Sequence, residues 1–354
     1  MTRMFSGTFP QALTPHEQTA QQKVGLDSAY EHAHEIPLAR VFLGVGSILV
    51  SGFAFGLVQP GAKFFLGTGI SLLPFCLFYV GLRFAYQFPV ALGSHALAVS
   101  SWTKFRWLLL FGLVGAGLRL TENWGIAVGL AVPVVSFLVY SHPVWTILIC
   151  RLAIHQPITK LSVFRMSLAI VGIALITELQ FASIWGVKFI GPLTAGLLVA
   201  CWIYLSTSLQ KKGLNAITLS FYYDFFSFIA LLVLCLVGLQ SIEWQRSMAW
   251  FLEPHHFFWM NIFALLTGVL PNYIFYYGAR NVAPVTAALI LLFEPIFASV
   301  VSCLIWRDSI SINFVVGASC ILLINTPAPT LYGLARSIRS TFSGLFPSNG
   351  KIYY

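Results

Sequence analysis

The sequence predicts an all-α polytopic membrane protein of about ten transmembrane helices in two inverted five-helix repeats. Three observations carry this expectation. Of 354 residues, 58% are hydrophobic and only 9% charged, whereas soluble domains devote about a quarter of their residues to charge. Apolar stretches long enough to cross a bilayer recur from residue 41 almost to the C-terminus. Two passages half a chain apart share one proline register.

The charge deficit comes first because it fixes the solvent. Twenty basic and 11 acidic residues are too few to clothe a globule of this length in water. With 31 Phe, 13 Tyr and 10 Trp, the surface must face lipid, which excludes a soluble enzyme. The six cysteines (Cys76, Cys150, Cys201, Cys235, Cys303 and Cys320) fall inside apolar runs, so neither a disulfide framework nor a zinc site is expected. Residues 1–39 are polar and read as a cytoplasmic tail without a cleavable signal peptide.

A window of about 20 residues, enough to cross roughly 30 Å of hydrocarbon, places spans near 41–59, 66–86, 107–125, 127–149 and 161–179. Five more fall near 189–209, 217–238, 257–278, 283–305 and 311–326. An even number puts both termini on one side. Assigning each Lys and Arg to its nearest loop gives fifteen on the terminal side, Arg83 among them, and five on the other, including Lys63, Arg119 and Arg307. Both termini are therefore expected in the cytoplasm, and the net charge of +9 reads as an orientation signal. Because these charges are dispersed over loops, no nucleic-acid partner is expected.

The strongest clue is the repeat. AVPVVSFLVYSHPVWTILICRLAIHQPIT around Pro143 and APVTAALILLFEPIFASVVSCLIWRDSIS around Pro295 both run from Pro-Val, through about ten mostly apolar residues, to a polar-Pro pair. A further apolar stretch and a polar turn then open the next span. Five spans separate the copies, an odd number, so the halves lie upside down relative to each other, as in many secondary transporters.

At these residues the sequence resembles the EamA-like branch of the drug/metabolite transporter superfamily. The matching positions are Ala283 and Pro284 at the start of the ninth span, the Glu294–Pro295 pair, Asp308 in the following turn and Gly317 in the tenth span. The first half departs from the pattern: His142 replaces the acid before Pro143, and His155 and Gln156 occupy a turn where an acid is common. The resemblance covers roughly residues 40–326, with repeats at 40–180 and 187–327 and a cytoplasmic C-terminal tail at 328–354. It implies carrier-mediated movement of a small organic metabolite, with no bound metal, no cofactor and no nucleotide hydrolysis, at a bacterial inner membrane. Expected partners are a small-molecule substrate and the bilayer, and a homodimer is an allowed assembly.

Charged groups within spans cost about 2.5–3.5 kcal/mol each on insertion scales, so those present need a reason. Glu294 precedes a proline whose missing N–H frees a backbone carbonyl, a pairing suited to binding a cation or moving a proton. Asp224 stands beside Tyr222 and Tyr223 in span seven, at a distance from the span's start that is expected to let it reach interfacial water, and His142 is the counterpart of Glu294 in the first half. Glu122 follows Arg119 by three residues, and the two are spaced to pair with each other at the interface. Aromatic rings with polar edges form a second group: Tyr140 and Trp145 in span four, Trp124 at its start, Trp202 and Tyr204 in span six, and Tyr273, Tyr276 and Tyr277 in span eight. Asn123 and Asn272 add amides in the third and eighth spans. Such a set suits a flat or cationic organic molecule, although Tyr and Trp also gather at membrane interfaces for reasons unrelated to ligands.

Gly52 with Gly56, and Gly112 with Gly115, read as helix-packing pairs. His32, His34, His255 and His256 lack a convergent metal set, and no phosphate-binding loop or nucleophile–base pair is visible. The expected function is secondary transport by alternating access, with S-adenosylmethionine, exchanged for S-adenosylhomocysteine, as the specific cargo. Proton-coupled export of amino acids or other metabolites is the alternative. An intramembrane enzyme would cluster its His, Asp and Glu at one face; a scaffold would need no intramembrane charge.

Overall fold

The computed structural model describes residues 38–94, 101–154, 160–176, 187–238, 241–282, 287, 290–291, 293–307 and 310–323. Among the described residues every assigned element is helical: α1 (Leu38–Phe55), α2 (Val58–Gly67), α3 (Leu72–Gly93), α4 (Trp102–Ala127), α5 (Val132–Val139), α6 (His142–Ile154), α7 (Lys160–Ile176), α8 (Val187–Lys211), α9 (Ala216–Gly238), α10 (Ser241–Leu252), α11 (Pro254–Ala264), α12 (Leu270–Ala279), α13 (Phe293–Trp306) and α14 (Ile312–Leu323). A π-helical turn, Leu265–Val269, joins α11 to α12. The chain divides into a unit of residues 1–43, whose described part is the opening of α1, and a unit of residues 44–354, which the following paragraphs concern. Both tails, His32, His34, His155, Gln156, Ala283, Pro284 and Asp308 lie outside the described residues.

Six helical stretches are long and apolar enough to cross a membrane: Phe42–Gly67, Leu72–Gly93, Val132–Ile149, Lys188–Lys211, Ala216–Gly238 and Pro254–Ala279. The expected ten-span count and inverted repeat go beyond these six. Helix α4 is just as long, but it carries Arg119, Glu122 and Asn123 inside its apolar stretch. The expected second span, 66–86, is corrected to Leu72–Gly93. The first stretch runs on to Gly67, and the chain turns at Gly69, whose φ of +96° suits a residue without a Cβ. Helix α10 occupies a stretch that hydropathy leaves as a loop. Its Trp244, Met248, Trp250 and Phe251 pack against the aromatic core around Phe65, Phe75, Tyr79 and Phe263.

Two positively charged residues move from loops to the interior. Arg83 is fully buried and Arg119 is 6% exposed, so neither reports orientation, and the charge asymmetry loses one residue on each side. The Gly112/Gly115 pair is where α9 approaches α4. A Cβ on Gly112 would stand 2.3 Å from the Phe226 Cβ, and the Gly112 carbonyl accepts a 2.8 Å hydrogen bond from the Ser227 hydroxyl.

Candidate functional site

Three prolines interrupt helices around one cavity. A proline has no N–H to give to the carbonyl four residues earlier. For Pro60, Pro143 and Pro295 that carbonyl belongs to Gly56, Val139 and Leu291. The backbone tightens at each place: Leu57 N bonds Ala54 O at 3.2 Å, Ser141 N bonds Leu138 O at 3.1 Å, and Glu294 N bonds Leu291 O at 2.9 Å. Each donor reaches back three residues instead of four. The cavity is lined by residues at all three breaks: Phe55 and Val58, Val139 and Tyr140, Leu291 and Glu294. Leu118, Arg119 and Glu122 of α4 and Val199 and Trp202 of α8 complete it. Its volume is about 40 Å³, room for a few waters and too little for a metabolite.

Two of the buried polar side chains here converge on the Glu122 carboxylate. Arg119 Nη1 meets Glu122 Oε2 at 2.8 Å, and Gln59 Nε2 donates to Glu122 Oε1 at 2.8 Å. Both carboxylate oxygens are thereby used, which offsets the cost of burying the charge. Glu294, 6% exposed, accepts a hydrogen bond from the Tyr140 hydroxyl. Among the described residues it has no guanidinium, ammonium or imidazole within ion-pair distance.

A second charged cluster lies deeper in the bundle. Arg83 Nη2 stands 2.7 Å from Asp224 Oδ1, both side chains being fully buried; Arg83 Nε donates to Asp224 Oδ2 at 3.2 Å, and Gln87 Nε2 donates to the same oxygen. The aliphatic stem of Arg83 crosses the π turn at Gly268, where a Cβ would come within 2.4 Å of its Cδ. The Tyr79 ring links the two clusters: the Arg83 and Arg119 guanidinium carbons stand 5.3 Å and 5.7 Å from its centroid. Such cation–π contacts, with the Tyr79 hydroxyl 3.0 Å from Thr267 Oγ1, stabilise charges held away from water.

Of the residues expected from the sequence, Glu122, Glu294, Tyr140 and Trp202 meet at the cavity. Tyr276 stands behind it, accepting a 3.3 Å hydrogen bond from Trp202 Nε1. The remaining candidates lie elsewhere. Asp224 is held by Arg83 and Gln87, buried from any interfacial water, and the Arg119–Glu122 pair is in the core and not at the interface. Asn123 donates to the Arg119 carbonyl at 2.8 Å, a bond within its own helix. Trp124 belongs to α4, not to the start of span four, and is 38% exposed, packed on Gly191. Tyr204 is half-buried against the core, and Asn272 is buried with its Nδ2 unpartnered among the described residues. His142 is fully buried, its ring 5.1 Å from that of Tyr140. Sequence reasoning missed Gln59, Arg83 and Gln87. The signal available for Gln59 was its place immediately before Pro60.

Comparison with known proteins agrees with this architecture. Residues 184–324 match the EamA-like transporter family. A solved crystal structure aligns over 83% of this chain and 99% of its own, at 11% identity and a TM-score of 0.51; that likeness concerns the fold alone. No curated protein matches. The six membrane-length helical stretches, with the match to a transporter family over residues 184–324, support an integral multi-pass membrane protein.

Proposed function

We propose that the protein is a secondary transporter that moves a small organic metabolite by alternating access about the cavity at Glu294. The observation that carries this reading is the convergence of three proline-broken helices on one site that holds a carboxyl group without a cation. Broken helices place free backbone groups and helix ends at mid-membrane, where a carrier binds its cargo. With Glu122 already held by Arg119 and Gln59, Glu294 is left to meet a positive charge or a proton brought from outside. The rings of Trp202, Tyr140 and Phe55 offer faces for a planar or cationic group. At about 40 Å³ the cavity is too small for a metabolite, so cargo must enter through rearrangement of the helices that meet at the breaks.

In this reading the chain has ten spans in two inverted halves, with both termini in the cytoplasm of a bacterial inner membrane. S-adenosylmethionine, which joins a planar base to a sulfonium, is the cargo best fitted to rings beside an unpaired carboxyl, and S-adenosylhomocysteine is the exchange partner. The test is uptake of labelled S-adenosylmethionine into proteoliposomes, competed by S-adenosylhomocysteine and by a panel of amino acids, with and without preloading or a pH gradient. Competition by S-adenosylhomocysteine and stimulation by preloading are expected. Competition by amino acids alone would assign the cargo to that class, and uptake that follows only the pH gradient would replace exchange with proton coupling through Glu294.

A further inference from the structure

We infer that Thr103, Arg106, Trp107 and Leu110 of α4, with Lys212 just beyond α8, form a binding site for one anionic phospholipid. The four α4 residues are spaced i, i+3, i+4 and i+7, the spacing of one helix face, and they line a surface cavity of about 400 Å³. Lys212 Nζ stands 5.1 Å from the Trp107 ring centroid, which brings a second cation to the same face. Among the described residues neither Arg106 nor Lys212 has an acidic partner within ion-pair distance.

The order of chemistry along this face is that of a lipid entering a membrane. Thr103 and Arg106 offer donors for a phosphate, Trp107 supplies the amphipathic ring that favours the headgroup level, and Leu110 gives an apolar bed for an acyl chain. Trp107 and Leu110 are 38% and 43% exposed, so the face is open to the bilayer. The site spans two helices that pack on each other and that both line the central cavity, through Arg119 and Glu122 on α4 and Trp202 on α8. A lipid held there would tie the ends of those two walls together. The binding itself does not depend on the transport reading.

The test is native mass spectrometry of the full-length protein incubated with phosphatidylglycerol or phosphatidylcholine. The wild type is expected to retain one phosphatidylglycerol in preference to phosphatidylcholine, with affinity falling as salt rises. The double variant Arg106→Gln, Lys212→Gln should bind it about thirtyfold more weakly, a factor of about five per basic residue. Arg280→Gln, which removes a cation lying 4.3 Å from the Tyr277 ring, is the control and should leave retention unchanged. Salt-insensitive retention by the wild type, or equal losses in the double variant and the control, would overturn the site. Displacement by soluble glycerol 3-phosphate alone would assign it to free phosphates and contradict the lipid.

Discussion

Gln59 donates a 2.8 Å hydrogen bond to Glu122, fastening the start of α2, beside the Pro60 break, to the charged turn of α4. One amide thus joins a helix interruption to the ion pair at the cavity wall. Replacing it tests whether the join matters. Gln59→Leu removes a bond to a charged group and leaves one buried carboxylate oxygen unpartnered, at a cost of about 1.5–3 kcal/mol. The expected result is a lower melting temperature in detergent together with slower uptake, whereas Gln59→Glu, which sets two carboxyl groups against each other, should be worse on both counts.

Arg83 and Asp224 are predicted to serve the fold. Removing one partner of a buried pair strands the other, at about 3–5 kcal/mol, while replacing both by apolar residues is often tolerated. Asp224→Asn and Arg83→Gln should each reduce the yield of folded protein, and Arg83→Met with Asp224→Leu should recover part of it. Thermal melting of the purified variants checks this. An Asp224→Asn protein that melts like the wild type yet does not transport would instead give Asp224 a direct part in the cycle.

Pro143 separates stability from motion. The interruption between α5 and α6 places Val139 and Tyr140 on the cavity. Alanine at 143 can donate the N–H that proline lacks, and alanine favours a helix interior over proline by about 3 kcal/mol. Pro143→Ala is therefore expected to melt at or above the wild-type temperature while uptake falls, since hinge substitutions often change turnover and KM together. Parallel melting and uptake measurements distinguish this from a simple folding defect, in which both would fall together.

Part of the candidate cavity was legible in the sequence because membranes make exceptions conspicuous. A carboxyl group before a proline inside an apolar run stands out by cost alone, and Glu294, Glu122, Tyr140 and Trp202 do converge. Arg83 was misread because the second span was placed about six residues early, which left the arginine at an apparent helix end. Its partner lies 141 residues away, and no local pattern announces such a pairing. Gln59 and Gln87 are uncharged, so a search for charged groups within spans passes over them, although hydrogen bonding makes them part of the buried ionic clusters. The π turn and α10 were invisible for a different reason. The first sets Gly268 against the stem of Arg83, a contact no local pattern announces, and the second presents an aromatic face that finds its partners only in the folded bundle.

The central claim is that Glu294 is the carboxyl group left open for cargo or proton. Its most direct test is uptake of labelled S-adenosylmethionine by proteoliposomes carrying either the wild type or Glu294→Gln, both first shown to melt alike. Loss of a charge-assisted contact worth about 1.5–3 kcal/mol corresponds to about a ten- to hundredfold effect. The account predicts a loss of that order in the variant. Uptake by Glu294→Gln at the wild-type rate would contradict it.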